Sequence, residues 1–287
     1  MNRIAILGIG AMGSRMVKKL LEARYEVVVY SRSADKAKPL IELGATYAAT
    51  PREASERADA IVSMVTDDEA SREIWLNQET GALLGLKPEA IAIESSTLTV
   101  AWTLELAKEI ERCGAAFLDA PVVGSRIQVE TGKLIYLVGG KAEYLSRVQD
   151  ILLSIGSTVR HVGEIGQGMT VKLAVNALLG IQVAALAEVI GMLTKNGMTA
   201  QEAMSCLSEL PVISPAARVA GGLMVENNHA VNFALELMEK DLRYFMESAL
   251  AVDAVTPIAN TMHDLYQEAI AQGYGKNNFT GIVRMFI

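Results

Sequence analysis

Lys172 and Asn176 stand four residues apart, a spacing that puts both side chains on one face of a helix. An ammonium at Lys172 can hand a proton to an oxygen that is gaining negative charge, and its own charge steadies that oxygen. The Asn176 amide can hydrogen-bond the same oxygen or hold the lysine in place. Gly168 and Gly180, about one turn before Lys172 and after Asn176, would leave the face uncrowded for ligands. Taken by itself, Lys172 reads equally well as a solvated helix lysine.

A second feature is Gly8-Ile9-Gly10-Ala11-Met12-Gly13, a G-x-G-x-x-G. With 23 glycines in the chain, chance matches are easy, so context decides. The motif follows the apolar run Ile4–Leu7 and opens a helical pattern, Met12–Ala23, with apolar residues at Met16, Val17, Leu20 and Leu21, which is the setting that gives it meaning. There Gly8 permits a tight turn, Gly10 lets backbone approach a pyrophosphate and Gly13 lets helix and strand pack closely. Ala11 and Met12 lie in the same turn, where free N–H groups at the helix start can receive phosphates.

The next apolar run, Val27–Tyr30, ends in Ser31-Arg32-Ser33, with no carboxylate before Asp35. A site that prefers NAD usually has an acidic residue here for the ribose 2′-hydroxyl. A guanidinium at Arg32 instead suits a 2′-phosphate and can stack on adenine, with Ser31 and Ser33 adding hydroxyls, so NADP(H) is the expected cofactor. A solvated loop arginine is the plainer alternative. Val65 and Thr66 close another apolar run, where ribose contacts lie in such a fold.

These residues need a scaffold, and the hydropathy pattern supplies one. Ala60–Val65 and Ala90–Ile93 are near-continuous apolar runs, as strands buried on both faces read. Ala116–Ala120, Leu134–Val138 and Thr158–Val162 are further strand candidates. Strands alternating with helices predict a parallel sheet with right-handed crossovers. From Val171 to Leu193 runs one long helical pattern, stopped by Asn196-Gly197. Thr199–Leu207, Pro215–Gly221, Ala234–Ala251 and Pro257–Gln272 also read as helix. The expected fold is α/β: a Rossmann-type doubly wound parallel sheet over residues 1–163, then an all-helical domain over residues 164–287 that begins with a long helix.

Composition narrows the function. Apolar residues are 51% and charged residues 21% of 287, enough for one large core or two ordinary ones and against long disorder. A net charge of −7 without a basic stripe argues against nucleic acid. The opening apolar run is interrupted by glycines and basic residues, so it reads as a strand and turn rather than a signal peptide. No stretch of about 18 uninterrupted apolar residues predicts a membrane span. A cytoplasmic protein is expected, with Cys113 and Cys206 as buried thiols. His161, His229 and His263 lack metal-ligand spacing, and Trp75, Trp102 and Tyr136 read as packing residues. The apolar helical half, including Met192, Met198, Met204 and Leu207, points to a homo-oligomer, dimer or tetramer.

Four motifs follow in order: Gly8 to Gly13; Asp119-Ala120-Pro121-Val122; Gly166-Gln167-Gly168-Met169-Thr170-Val171-Lys172-Leu173-Ala174-Val175-Asn176; and Lys240-Asp241-Leu242. With them the chain resembles, over essentially its whole length, the β-hydroxyacid dehydrogenase family, which includes 3-hydroxyisobutyrate dehydrogenase and the glyoxylate/succinic semialdehyde reductases. Ser31-Arg32-Ser33 and Phe233 upstream of Lys240-Asp241 are most similar to the latter branch. The resemblance implies hydride transfer from NADPH to a small aldehyde or keto acid, with Lys172 as the catalytic proton donor and Asn176 as its partner. It also implies Thr97 near the nicotinamide ribose, Lys240 near the cofactor, and Phe233 and Asp241 lining the substrate pocket. Phe233, Leu237 and Lys240/Asp241 fall on one face of a helix; a core aromatic and a helix salt bridge are the plainer readings of Phe233 and Asp241.

One departure matters. Where the family has a serine that helps bind the substrate carboxylate, this chain has Val123, which cannot donate. Gly124, Ser125 or Arg126 would have to hold the anion. A more apolar carbonyl substrate is therefore an alternative. So are oxidation of a 3-hydroxy acid, an imine reductase, and a catalytically silent cofactor-binding protein.

Overall fold

The computed structural model describes all 287 residues, which form two compact units, Met1–Lys172 and Leu173–Ile287. The division lies inside one helix, Gln167–Lys195, rather than at the expected 163/164. The reason is local: Met169 at the helix start is wholly buried and its backbone is hydrogen-bonded to Asp119.

The first unit holds nine strands: β1 (Arg3–Leu7), β2 (Glu26–Tyr30), β3 (Thr46–Tyr47), β4 (Ala60–Ser63), β5 (Ile91–Glu94), β6 (Ala116–Asp119), β7 (Val122–Val123), β8 (Leu134–Gly139) and β9 (Gly156–Gly163). Six of them run in the order β3-β2-β1-β4-β5-β6, all parallel, with Ile4 registered between Val27 and Ala60. The order reverses between β1 and β4, which opens the crevice at their C-terminal ends where ligands bind in sheets of this kind. β4, β5 and β6 are buried at every residue, as strands covered by helices on both faces must be.

Beyond β6 the sheet departs from the expected parallel pattern. β8 meets both β6 and β7 antiparallel, and β9 then joins β8 in parallel. Between β7 and β8 lie only a five-residue helix, Arg126–Glu130, and a turn, too short for a parallel crossover.

In the second unit the rest of Gln167–Lys195 packs with the helices Ala200–Ser208, Pro215–Val225, Leu235–Leu250 and Pro257–Ala271. Their core includes Ala177, Val183, Ile190, Met204, Met238 and Tyr266. A Cβ at Gly180 would collide with the Met238 sulfur, so this glycine serves close helix packing and not room for a ligand. By length and composition Gln167–Lys195 could cross a membrane, with a mean hydropathy of 1.9, yet half of that apolar window is buried inside the protein. Met204 is core and Leu207 packs against it, whereas Val171, Leu178, Val189 and Met192 of the long helix are exposed. Cys113 and Cys206 are exposed as well, contrary to expectation: Cys113 ends a helix and Cys206 sits on the outer side of another, whose Ala203 and Met204 face inward.

Candidate active site

The glycine loop joins β1 to the helix Gly13–Glu22. Gly8 adopts φ +98°, and a Cβ there would strike the Met64 carbonyl oxygen; a Cβ at Gly13 would strike the Gly8 carbonyl. Both glycines are therefore explained by protein contacts. Gly10 is not: nothing lies within 4 Å of its Cβ position, and Gly10 and Ala11 are exposed. No side chain caps the following helix at Met12, and its Ser14 and Arg15 N–H groups donate to the Gly10 and Met12 carbonyls, so an anion would be met by the N–H groups of the loop just before them and by the helix dipole. The loop fits a dinucleotide pyrophosphate.

The other expected cofactor residues of this unit sit at the same C-terminal edge. Ser31, Arg32 and Ser33 follow β2, with Arg32 exposed and the Ser33 N–H donating to Ser31 Oγ at 3.3 Å. Asp35 is engaged by Lys38 at 2.7 Å. Val65 and Thr66 follow β4, and Thr97 follows β5. Sequence reasoning missed how these two loops are joined. Glu94, wholly buried at the end of β5, accepts from the Ser96 N–H at 3.0 Å, Ser71 Oγ at 2.9 Å and Trp75 Nε1 at 3.0 Å. Ser96 Oγ in turn accepts from the Val65 N–H at 2.8 Å. Burial holds the Glu94 carboxyl above its ordinary range despite hydrogen bonds from Ser96, Trp75 and Ser71. An apolar strand end followed by Glu94-Ser95-Ser96 was the only signal in the sequence.

After β7, Gly124 turns with φ +131°. Ser125 donates both its N–H, at 2.8 Å, and its hydroxyl, at 2.6 Å, to Gln128 Oε1. Both donors of Ser125 are thus engaged within the loop. Arg126 Nε is buried without a hydrogen-bond partner.

The long helix carries Lys172 and Asn176, which are only 7% and 6% exposed; a simple solvated lysine does not fit that burial. A Cβ at Gly168 would meet the Leu137 carbonyl and Asp119, so this glycine too answers to packing. In the second unit, Asn176 Nδ2 donates to Asp241 Oδ2 at 2.5 Å. Lys240 Nζ lies 3.0 Å from Asp241 Oδ1, a charge contact without the direction of a hydrogen bond, and 4.7 Å from the Tyr244 ring centre. Phe233 lies just before the helix Leu235–Leu250 rather than on it. Its N–H and that of Asn232 donate to the buried Asn278 Oδ1 at 3.0 and 3.2 Å, and its ring packs on Phe279, centroids 5.8 Å apart. Asn278 had no sequence signal.

No three His, Cys, Asp or Glu side chains cluster as a metal site would need. Two surface clefts, of 240 and 280 Å³, lie at the opposite ends of the strands, beside Arg3, Glu26 and Arg57 and beside Asp59, Lys87 and Arg147. Neither touches the glycine loop, so site chemistry and not cleft size locates the function.

Fold and site define a dinucleotide-binding oxidoreductase. Residues 3–163 match the NAD binding domain of 6-phosphogluconate dehydrogenase, and residues 166–286 match the NAD-binding domain of NADP-dependent 3-hydroxyisobutyrate dehydrogenase. The chain belongs to the β-hydroxyacid dehydrogenase family. It is 31% identical to the chloroplastic glyoxylate/succinic semialdehyde reductase 2 of Arabidopsis thaliana, over 98% of this chain and 78% of that one. Identity to the mitochondrial 3-hydroxyisobutyrate dehydrogenase of Rattus norvegicus is 29%, over 97% and 85%. The Mycobacterium tuberculosis 3-hydroxyisobutyrate dehydrogenase structure with L-serine superposes with a TM-score of 0.90 at 26% identity, covering 99% of each chain.

Proposed function

We propose that this protein is an NADPH-dependent reductase of small aldehydes that carry a carboxylate, of the glyoxylate or succinic semialdehyde type. The observation that carries the reading is the buried Lys172 sharing one helix face with Asn176. When bound, a reduced nicotinamide would supply the hydride. Lys172 Nζ gives a proton to the carbonyl oxygen as it becomes an alkoxide, and its charge stabilises that oxygen on the way. Asn176, held by Asp241, orients the same oxygen. Gly8, Gly10 and Gly13, with Ala11 and Met12, cradle the pyrophosphate. Arg32, exposed and followed by no free carboxylate before Asp35, receives the 2′-phosphate with Ser31 and Ser33 beside it. In the first unit Val65, Thr66 and Thr97 are read as further cofactor residues and Gly124 as a substrate residue; in the second, Lys240 is read as a cofactor residue and Phe233 as a substrate residue.

Oxidation of a 3-hydroxy acid is the second reading, favoured by the identity to the rat dehydrogenase. The protein is read as cytoplasmic and as a homo-oligomer, in which Val171, Leu178, Val189 and Met192, exposed along one helix, meet a second copy. The deciding experiment follows absorbance of the reduced nicotinamide, with NADPH and NADH separately, on glyoxylate, succinic semialdehyde and an uncharged aldehyde. Fast NADPH oxidation with the two acids supports the reading; turnover with the uncharged aldehyde alone, or with NADH as well as NADPH, sinks it.

A further inference from the structure

Asp119 ends β6 and opens a motif, Asp119-Ala120-Pro121-Val122, to which the chemistry above gives no task. The side chain is wholly buried. Its Oδ1 accepts from the Gly166 N–H and its Oδ2 from the Met169 N–H, both at 2.8 Å, and the Gly168 N–H contributes too. Gly168 and Met169 lie in the first turn of the helix Gln167–Lys195 and Gly166 immediately precedes it, where the first N–H groups have no partner within the helix. Asp119 thus acts as an N-cap from 47 and 50 residues away and sets a carboxyl at the positive end of a 29-residue helix.

Room for that carboxyl is made at some cost in backbone freedom. A Cβ at Gly139 would strike Asp119 Oδ1, one at Gly168 would press on Asp119 Oδ2 and two carbonyls, and Gly166 turns with φ +89°. Elsewhere the chain caps helices with the adjacent Thr50, Asp67, Thr99, Thr199 and Ser214. A local serine or threonine would serve stability equally well. What distinguishes this helix is Lys172, three residues beyond Met169 and so about one turn from the bonded N–H. Any shift of the first turn carries Lys172 with it.

We infer that Asp119 is a positioning residue for proton transfer: its carboxyl ties the first turn of the long helix to the end of β6 and so fixes Lys172 relative to the C-terminal edge of the sheet. The inference rests on Lys172 being the proton donor of the proposed reaction.

The test compares wild type with Asp119→Asn, which keeps the volume, and with Gly168→Ala, which crowds the carboxyl without removing it. Each is assayed on whichever of glyoxylate, succinic semialdehyde or 3-hydroxyisobutyrate the wild type turns over fastest. The readouts are kcat, KM for the cofactor, the isotope effect of hydride transfer with deuterated cofactor or substrate, and amide hydrogen exchange over residues 166–172. Expected in both variants are a kcat lower by roughly 10- to 100-fold and a larger isotope effect, because the donor is misplaced. KM for the cofactor should stay within about threefold, since the glycine loop is untouched, and exchange over 166–172 should quicken. An active wild type whose variants keep kcat and isotope effect within about twofold overturns the inference, as does a kcat loss matched by an equal loss of cofactor affinity. A wild type inactive on all three substrates sinks the proposed reaction itself, and the positioning role with it.

Discussion

Asn176 Nδ2 donates to Asp241 Oδ2 at 2.5 Å while Lys240 Nζ lies 3.0 Å from the other carboxylate oxygen. Asp241 therefore binds its neighbours first: it orients an amide of the proposed catalytic face and offsets a buried ammonium. Replacing it by alanine removes the acceptor from Asn176 and the counter-charge from beside Lys240, both less than 10% exposed. Breaking a buried ion pair on one side costs about 3 kcal/mol. Asp241→Ala should lower stability by about that amount in denaturant titration. A midpoint unchanged from wild type would rule out this account of Asp241.

The parts of this arrangement that the sequence revealed are those written in short-range pattern. β1, the glycine loop and the helix after it follow from apolar runs and glycine spacing within about twenty residues, and Lys172 and Asn176 share a face by helical geometry alone. What stayed hidden depends on partners far along the chain. Asp119 finds its donors 47 and 50 residues later. Glu94 finds Ser71 and Trp75 on an earlier helix. β7 is two residues long and pairs antiparallel with β8, too short to display a period. Phe233 lies just before the helix Leu235–Leu250, its N–H and that of Asn232 held by Asn278, which is remote in sequence. Gly168 and Gly180 were visible, but their cause was tight packing against Asp119 and Met238, which spacing cannot report.

Cofactor choice is tested at Arg32, which is exposed at the end of β2 and free to meet a 2′-phosphate in the proposed reading. Arg32→Glu supplies the acceptor that a ribose 2′-hydroxyl favours and repels a phosphate. We expect kcat/KM for NADPH to fall by roughly 100-fold and that for NADH to rise, measured by initial rates with each cofactor. Equal loss with both cofactors would mean that Arg32 supports the loop and does not discriminate.

Asp119 gives the stability a pH dependence whose sign is opposite to that of an ordinary salt-bridged carboxylate. Burial, outweighing the backbone hydrogen bonds, pushes its carboxyl up from 3.8 to about 6. The folded chain then holds this proton more tightly than the unfolded chain between those values, so the group's contribution declines as pH rises from 4 to 6 and is constant above. The span is about 3 kcal/mol at most. Asp119→Asn does not titrate, so the stability difference between wild type and variant should shrink as pH rises from 4 to 7 in thermal melts. A flat difference would show the carboxyl to be unshifted, and one that grows with pH would show it to be depressed by its donors.

Carboxylate recognition is the last question, and the loop after β7 frames it. Val123 cannot donate, and both donors of Ser125 go to Gln128 Oε1. Arg126 is different. Its Nε is buried without an acceptor, and leaving such a group unsatisfied costs about 1–3 kcal/mol unless a ligand relieves it. Glu130, one turn further on the same short helix, is held by Arg15 at 2.6 Å, and Arg15 in turn donates to the Ala11 carbonyl at 2.7 Å. The carboxylate one turn away is thus already paired, through an arginine that also reaches the glycine loop. An anionic substrate group reaching Arg126 would gain a charge-assisted hydrogen bond of about 2 kcal/mol, or roughly 30-fold in affinity. Arg126→Ala should therefore raise KM for glyoxylate and succinic semialdehyde by about that factor, with little change for an uncharged aldehyde. Val123→Ser, which restores a hydroxyl to the loop, should lower KM for the acids. If Arg126→Ala raises KM for NADPH instead, the guanidinium serves the dinucleotide phosphates. If all three constants stay put, recognition of the acid falls to the Gly124 N–H and to residues outside this loop.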